Sequence, residues 1–207
     1  MIHTRTQARI RVAASTAALA VLLAACTAAP AQDTPVASRT ETPPPSADAV
    51  LGAYGLAGLD TREVINALDA TALAEREQDL RASIRPDELL ISDATGAEAS
   101  LPMPDDAFYV SVAPYVDSTH ECYFHSLTTC TGEMRSETVH VLAAEVGSGE
   151  VLLDQSMVTF DNGFVGLWLP RGVEVDLTIT QGELTATETL STDDPEDATC
   201  VTTMQLA

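Results

Sequence analysis

The sequence predicts an α+β fold: a small helical N-terminal region with short strands, then an antiparallel, β-rich C-terminal domain of sandwich or barrel-like form. Three observations carry this. Apolar residues recur at helical spacing only early, at Val64, Ile65, Leu68, Ala72 and Leu73. From Phe108 onward the chain breaks into about seven short runs rich in Val, Thr, Leu and Ile, separated by turn residues. Eight of the nine aromatic residues lie between Phe108 and Trp168, which puts the main core in that part of the chain.

In chain order, Arg5, Arg9 and Arg11 precede an apolar run from Val12 to Ala25. That is the pattern of an export signal, and the run falls short of the roughly 18 residues that a membrane span needs. Leu23-Ala24-Ala25-Cys26 resembles the bacterial lipoprotein processing box, in which the cysteine becomes the lipidated first residue. Residues 1–25 are therefore expected to be a lipoprotein-type signal peptide, with ordinary cleavage near Ala29 or Ala31 as the alternative. The protein is expected to be extracytoplasmic, held through Cys26 on the outer face of the cytoplasmic membrane. Residues 26–46, rich in Ala, Thr and Pro, read as a disordered tether.

Residues 47–104 form the small helical and β region. Ser46 caps a first short helix, and Asp60 with Glu63 makes a capping box for the second, whose outward face is expected to carry Arg62, Glu63, Asn66 and Asp69. Short strands follow around turns at Pro86-Asp87 and Thr95-Gly96. With Tyr54 as its one aromatic residue this region has a thin core, and is expected to lean on a partner. Residues 105–207 form the β-rich domain, with hairpin signals at Gly147-Ser148-Gly149 and, more strongly, at Asn162-Gly163.

Charge excludes some functions. Beyond the leader the chain has 7 Arg, no Lys and 31 acidic residues, a net −24. Nucleic acid and anionic lipid would repel it, so neither is an expected partner, and only a lipid on Cys26 would hold it to a membrane.

The chemistry is concentrated in His120-Glu121-Cys122-Tyr123-Phe124-His125 and the following residues to Cys130, with Cys200 far downstream. Cys122 and Cys130 would stand about 26 Å apart if extended, and about 12 Å apart on one helix. A shared metal or disulfide needs their Cα atoms within about 7 Å, so the chain must double back at Ser126-Leu127-Thr128-Thr129. Acylation of Cys26 leaves three cysteines, an odd count that cannot pair fully. Three thiolates from separate segments suit a soft ion, Cu(I) above all. Zinc on Cys122, Cys130, Cys200 and either His120 or His125 is the lesser alternative, because the spacing lacks a short zinc knuckle. His120 and His125 are second-rank ligands or proton-handling neighbours. A plain Cys122–Cys130 disulfide, a buried Cys200 and two ordinary loop histidines remain the competing reading. Met134 and Met204 read as core, and His140 has no assigned role. No HExxH, phosphate loop or Cys-x-x-Cys is present.

His120-Glu121-Cys122-Tyr123-Phe124-His125-Ser126-Leu127-Thr128-Thr129-Cys130-Thr131-Gly132-Glu133, Asn162-Gly163-Phe164-Val165-Gly166-Leu167-Trp168-Leu169-Pro170-Arg171 and Asp197-Ala198-Thr199-Cys200-Val201-Thr202-Thr203-Met204-Gln205-Leu206 resemble the CueP family, copper-binding proteins of the bacterial periplasm or cell envelope. The resemblance covers nearly all of residues 50–206. It implies a copper site made by Cys122, Cys130 and Cys200 with His120 and His125 beside it. It also implies a role in copper tolerance, with copper handed on to an extracytoplasmic cuproenzyme such as superoxide dismutase. The resemblance further implies a homodimer, and reduction of Cu(II) to Cu(I) by the thiols. The lipoprotein-like leader departs from its pattern. The expected function is an anchored Cu(I)-binding protein that turns over no substrate. The rivals are a thiol-dependent cupric reductase or thiol–disulfide protein, and a disulfide-stapled binding module.

Overall fold

The computed structural model describes residues 45–207; the leader, Cys26 and the tether as far as residue 44 lie outside the described residues. Helix α1 spans Ala47–Leu51, and the Ser46 hydroxyl caps it by accepting the Ala49 N–H at 3.2 Å. Helix α2 spans Thr61–Ala70. Its capping box is complete: the Asp60 carboxylate accepts the Glu63 N–H, and the Glu63 carboxylate accepts the Asp60 N–H. The helix stops earlier than the apolar periodicity, because Thr71 turns extended while its N–H still reaches the Leu68 carbonyl. Leu80 is fully buried, but beyond the helix. Strands β1 (Arg81–Ile84), β2 (Glu88–Ser92) and β3 (Glu98–Pro102) make an antiparallel meander.

The remaining strands are β4 (Ala107–Val112), β5 (Thr138–Glu145), β6 (Val151–Val158), β7 (Val165–Pro170), β8 (Glu174–Gln181), β9 (Leu184–Ser191) and β10 (Cys200–Val201). They build a three-stranded sheet in the order β10-β4-β7 and a four-stranded sheet in the order β6-β5-β8-β9. Alternate residues Phe108, Val110 and Val112 of β4 and Val165, Leu167 and Leu169 of β7 meet Val139, Val141, Val175, Leu177 and Ile179 from the second sheet in one apolar cluster. The form is therefore a sandwich.

Two connections differ from a simple run of hairpins. Strand β10 lies parallel to β4, pairing Cys200 with Ser111. Asn162-Gly163 makes a tight turn, but β6 pairs with β5 and β7 with β4, so the chain passes there from one sheet to the other. The reason is Asn162: its side chain is fully buried and bonded to Asp69, where a solvent-facing hairpin turn would leave it in water.

Strand β4 is buried on both faces. Tyr109 points away from the sandwich and joins Leu127 and Trp168 in a second cluster with Val64, Ile65, Leu68, Ile84, Leu89 and Ile91. The thin N-terminal region thus completes its core on the β domain of the same chain. Among the described residues no helix is long and apolar enough to cross a membrane.

Candidate metal centre

Three segments meet beside this second core. The Thr129 and Cys130 amides both donate to the Ser126 carbonyl, which closes the expected turn. Residues 125–127 lie along β1: the Ile84 N–H donates to His125 O, and the Leu127 N–H to Ala82 O. The Thr199 and Cys200 amides both donate to Tyr123 O at 3.0 and 3.1 Å, laying the approach to β10 along the cysteine segment. Thr199 Oγ1 accepts the His125 N–H and donates to Ile84 O, tying all three together.

The outcome is a group of Cys122, His125, Cys130 and Cys200 whose ligand atoms all lie within 4.8 Å of one another. Cys122 and Cys130 sulfurs are 3.6 Å apart, and Cys200 Sγ is 3.7 Å from His125 Nδ1. Cys122 and Cys200 are joined as a disulfide with Cα atoms 5.7 Å apart, and Cys130 is a free thiol. The covalent pair thus differs from the Cys122–Cys130 staple weighed from sequence. The hydrogen bonds at Tyr123 O explain the difference, since they bring the Cys200 backbone alongside Cys122.

Behind the group lies Asp69, fully buried although its helix position predicted a solvent-facing side chain. Its Oδ2 accepts Tyr109 Oη at 2.6 Å and Ser111 Oγ at 3.0 Å. Its Oδ1 lies 2.8 Å from Asn162 Nδ2 and 3.1 Å from His125 Nε2. Burial pushes the Asp69 carboxyl up, but the hydrogen bond and charge of His125, with the Tyr109 and Asn162 donors, hold it below its ordinary value. Burial likewise pushes His125 down; the hydrogen bonds and charges of Asp69 and Cys130 outweigh this and raise it to about 9. Cys130 is pushed up by burial, yet His125, the Ser126 amide and Arg76 hold it below the usual thiol value.

Arg76, also unforeseen, is 7% exposed and donates from Nη1 to Cys130 O at 2.8 Å, while its Nε and Nη2 have no hydrogen-bond partner. His120 stands outside the group of four and is exposed, edge-on to Phe164 at 6.3 Å; His125 packs on the same ring at 4.6 Å. A groove of about 670 Å³ lined by Tyr115, His120, Cys130, Glu133 and Arg135 opens over Cys130. A second, of about 350 Å³, places His120 with Cys122. Met134 and Met204 are buried in the sandwich core. One signal pointed to Asp69: it lies four residues after buried Ile65, on the same helix face.

The donor set suits a soft ion. Sulfurs on one tetrahedral ion at about 2.3 Å stand about 3.8 Å apart, close to the 3.6 Å between Cys122 and Cys130. The disulfide has to be reduced before all three sulfurs can serve as thiolates.

Comparison with known proteins agrees with this chemistry. The family model described as periplasmic copper-binding protein CueP matches residues 63–205, a span that holds Asp69, Arg76, the cysteine loop and Cys200. The crystal structure of S.CueP is 36% identical, with a TM-score of 0.71, over 76% of this chain and 94% of that one. No curated protein matches the chain. With fold, donor cluster and family match in agreement, this chain belongs to the CueP family of periplasmic copper-binding proteins.

Proposed function

We propose that this protein sequesters Cu(I) through the thiolates of Cys122, Cys130 and Cys200, with His125 as a fourth donor, and passes the ion on. The observation that carries the reading is the convergence of three sulfurs and one imidazole nitrogen from separate segments within 4.8 Å. Thiolates favour Cu(I) over hard cations; zinc would fit the same four donors, and the copper-binding family weighs against it. His120, between the two grooves, is suited to meet the ion on its way in or out. The recipient would be an extracytoplasmic cuproenzyme such as superoxide dismutase. Lipidation at Cys26 would keep exchange at the membrane surface, and a Cys26→Ser protein would then appear in the soluble fraction.

A Cu(I) competition titration on the reduced protein tests the site. One Cu(I) per chain is expected, with each single Cys→Ser change weakening binding by orders of magnitude. A Cys200→Ser protein that bound as tightly as the parent would refute it.

The disulfide within the donor group favours a second reading, thiol-driven cupric reduction. Two thiolates would give one electron each to two Cu(II), leaving the Cys122–Cys200 disulfide and two Cu(I). Catalysis with an added dithiol reductant requires Cu(II) consumption beyond the protein's own thiols. Consumption that stops at two Cu(II) per chain would leave binding as the function.

A further inference from the structure

We propose that Asp69 is the positioning residue of this centre: by accepting a hydrogen bond from His125 Nε2–H it keeps the proton on that nitrogen and leaves Nδ1, the nitrogen beside Cys200, as the one that meets the ion. The inference rests on the three-thiolate copper reading and adds to it a residue on the second helix, more than fifty positions before the cysteine loop.

Burying an ionised carboxylate is costly, and packing would be served as well by an apolar residue of similar size. Asp69 is nonetheless wholly buried and draws four side-chain donors, from Tyr109, Ser111, Asn162 and His125. A carboxylate is acceptor-only, so His125 Nε2 must donate to it, and a neutral imidazole with Nε2–H has its lone pair on Nδ1. Nδ1 is the nitrogen 3.7 Å from Cys200 Sγ. The Phe164 ring packs against the imidazole, with ring centroids 4.6 Å apart. Asn162 also donates to the Asp69 backbone carbonyl, while its own carbonyl accepts the Gly132 N–H two residues past Cys130. The carboxylate, the imidazole and the cysteine loop are thereby built as one unit. Partners of this kind behind a ligating histidine set its tautomer and basicity, and their loss costs about 10- to 100-fold in metal affinity.

Two substitutions separate charge from tautomer. In Asp69→Asn the amide oxygen stays on the Oδ1 side, because Asn162 can only donate there, while the Tyr109 and Ser111 hydroxyls can turn to accept the new NH₂. The tautomer survives and only the charge is lost. Asp69→Leu removes the acceptor altogether.

The test is ¹⁵N NMR of the reduced full chain, labelled at histidine and loaded with Ag(I) as a diamagnetic stand-in for Cu(I). The wild-type protein is expected to show His125 bound through Nδ1, split by silver, with a proton on Nε2. Asp69→Asn keeps that pattern with weaker Ag(I) binding, and Asp69→Leu mixes the two tautomers and loses about 10- to 100-fold in affinity. Silver on Nε2, or no silver on His125 at all, overturns the proposal, and the wild-type spectrum decides this even if Asp69→Leu fails to fold. Asp69→Leu that folds and binds like the parent overturns it too. No Ag(I) uptake by the three reduced thiols overturns the copper reading itself, a result distinct from uptake with the wrong nitrogen bound.

Discussion

Substituting Gly163 by alanine should separate the metal loop from the turn that supports it. Gly163 has φ +83°, and a Cβ there would lie 2.6 Å from both the C and the O of Gly132, which are backbone atoms that cannot rotate away. The left-handed conformation alone costs a non-glycine residue about 1–2 kcal/mol. Forcing a methyl into a filled space adds about 1–3 kcal/mol. Gly96→Ala is the matched control: its φ is +81°, and nothing lies within 4 Å of the added Cβ. Gly96→Ala should therefore show only the first cost and Gly163→Ala both, about 2–5 kcal/mol together. Urea unfolding of the two variants beside the parent measures this, at matched m-values. Gly132 follows Cys130 by two residues, so Gly163→Ala should also weaken Cu(I) binding while Gly96→Ala leaves it intact. Equal destabilisation by the two variants would refute the close-approach argument, leaving backbone conformation as the whole effect.

Leu127, fully buried in the turn between the two loop cysteines, anchors that turn in the second core, and Leu127→Ala should cost about 2–5 kcal/mol by thermal or urea unfolding. Thiol titration of the oxidised protein lacking Cys26 should give one accessible thiol, Cys130, and three after reduction; three without reductant would contradict the pairing. In the metal-free protein His125 is raised from 6.5 to about 9, so its contribution to stability is complete below pH 6.5 and is lost as pH rises through about 9. The stability gap between the parent and His125→Gln should accordingly narrow over that window, and a gap that widens would reverse the assignment. Arg76→Gln removes a charged donor from Cys130 O and should cost about 1.5–3 kcal/mol in urea unfolding.

What could be read in the sequence was local. The Ser46 cap, the Asp60–Glu63 box, the apolar runs that became β4, β5, β7 and β8, and the fold-back at Ser126-Thr129 each depend on residues within one turn or one strand of each other. The cysteine count favoured a soft cation, with zinc and a disulfide staple left open, and the acidic charge made nucleic acid an unexpected partner before any strand was paired. Tertiary structure alone decided which groups meet. Asp69 sits on a helix face whose pattern leaves it beside either water or core, and only the arrival of Tyr109, Ser111, Asn162 and His125 from 40 to 93 residues away makes its burial tolerable. The choice of His125 over His120 for the donor group likewise follows from Thr199, which holds the His125 amide while bonded to Ile84 across 115 residues. Spacing along a chain determines what a residue's near neighbours can do. The partners of a buried charge or a thiol are set by which strands pack together, and that is a property of the whole core.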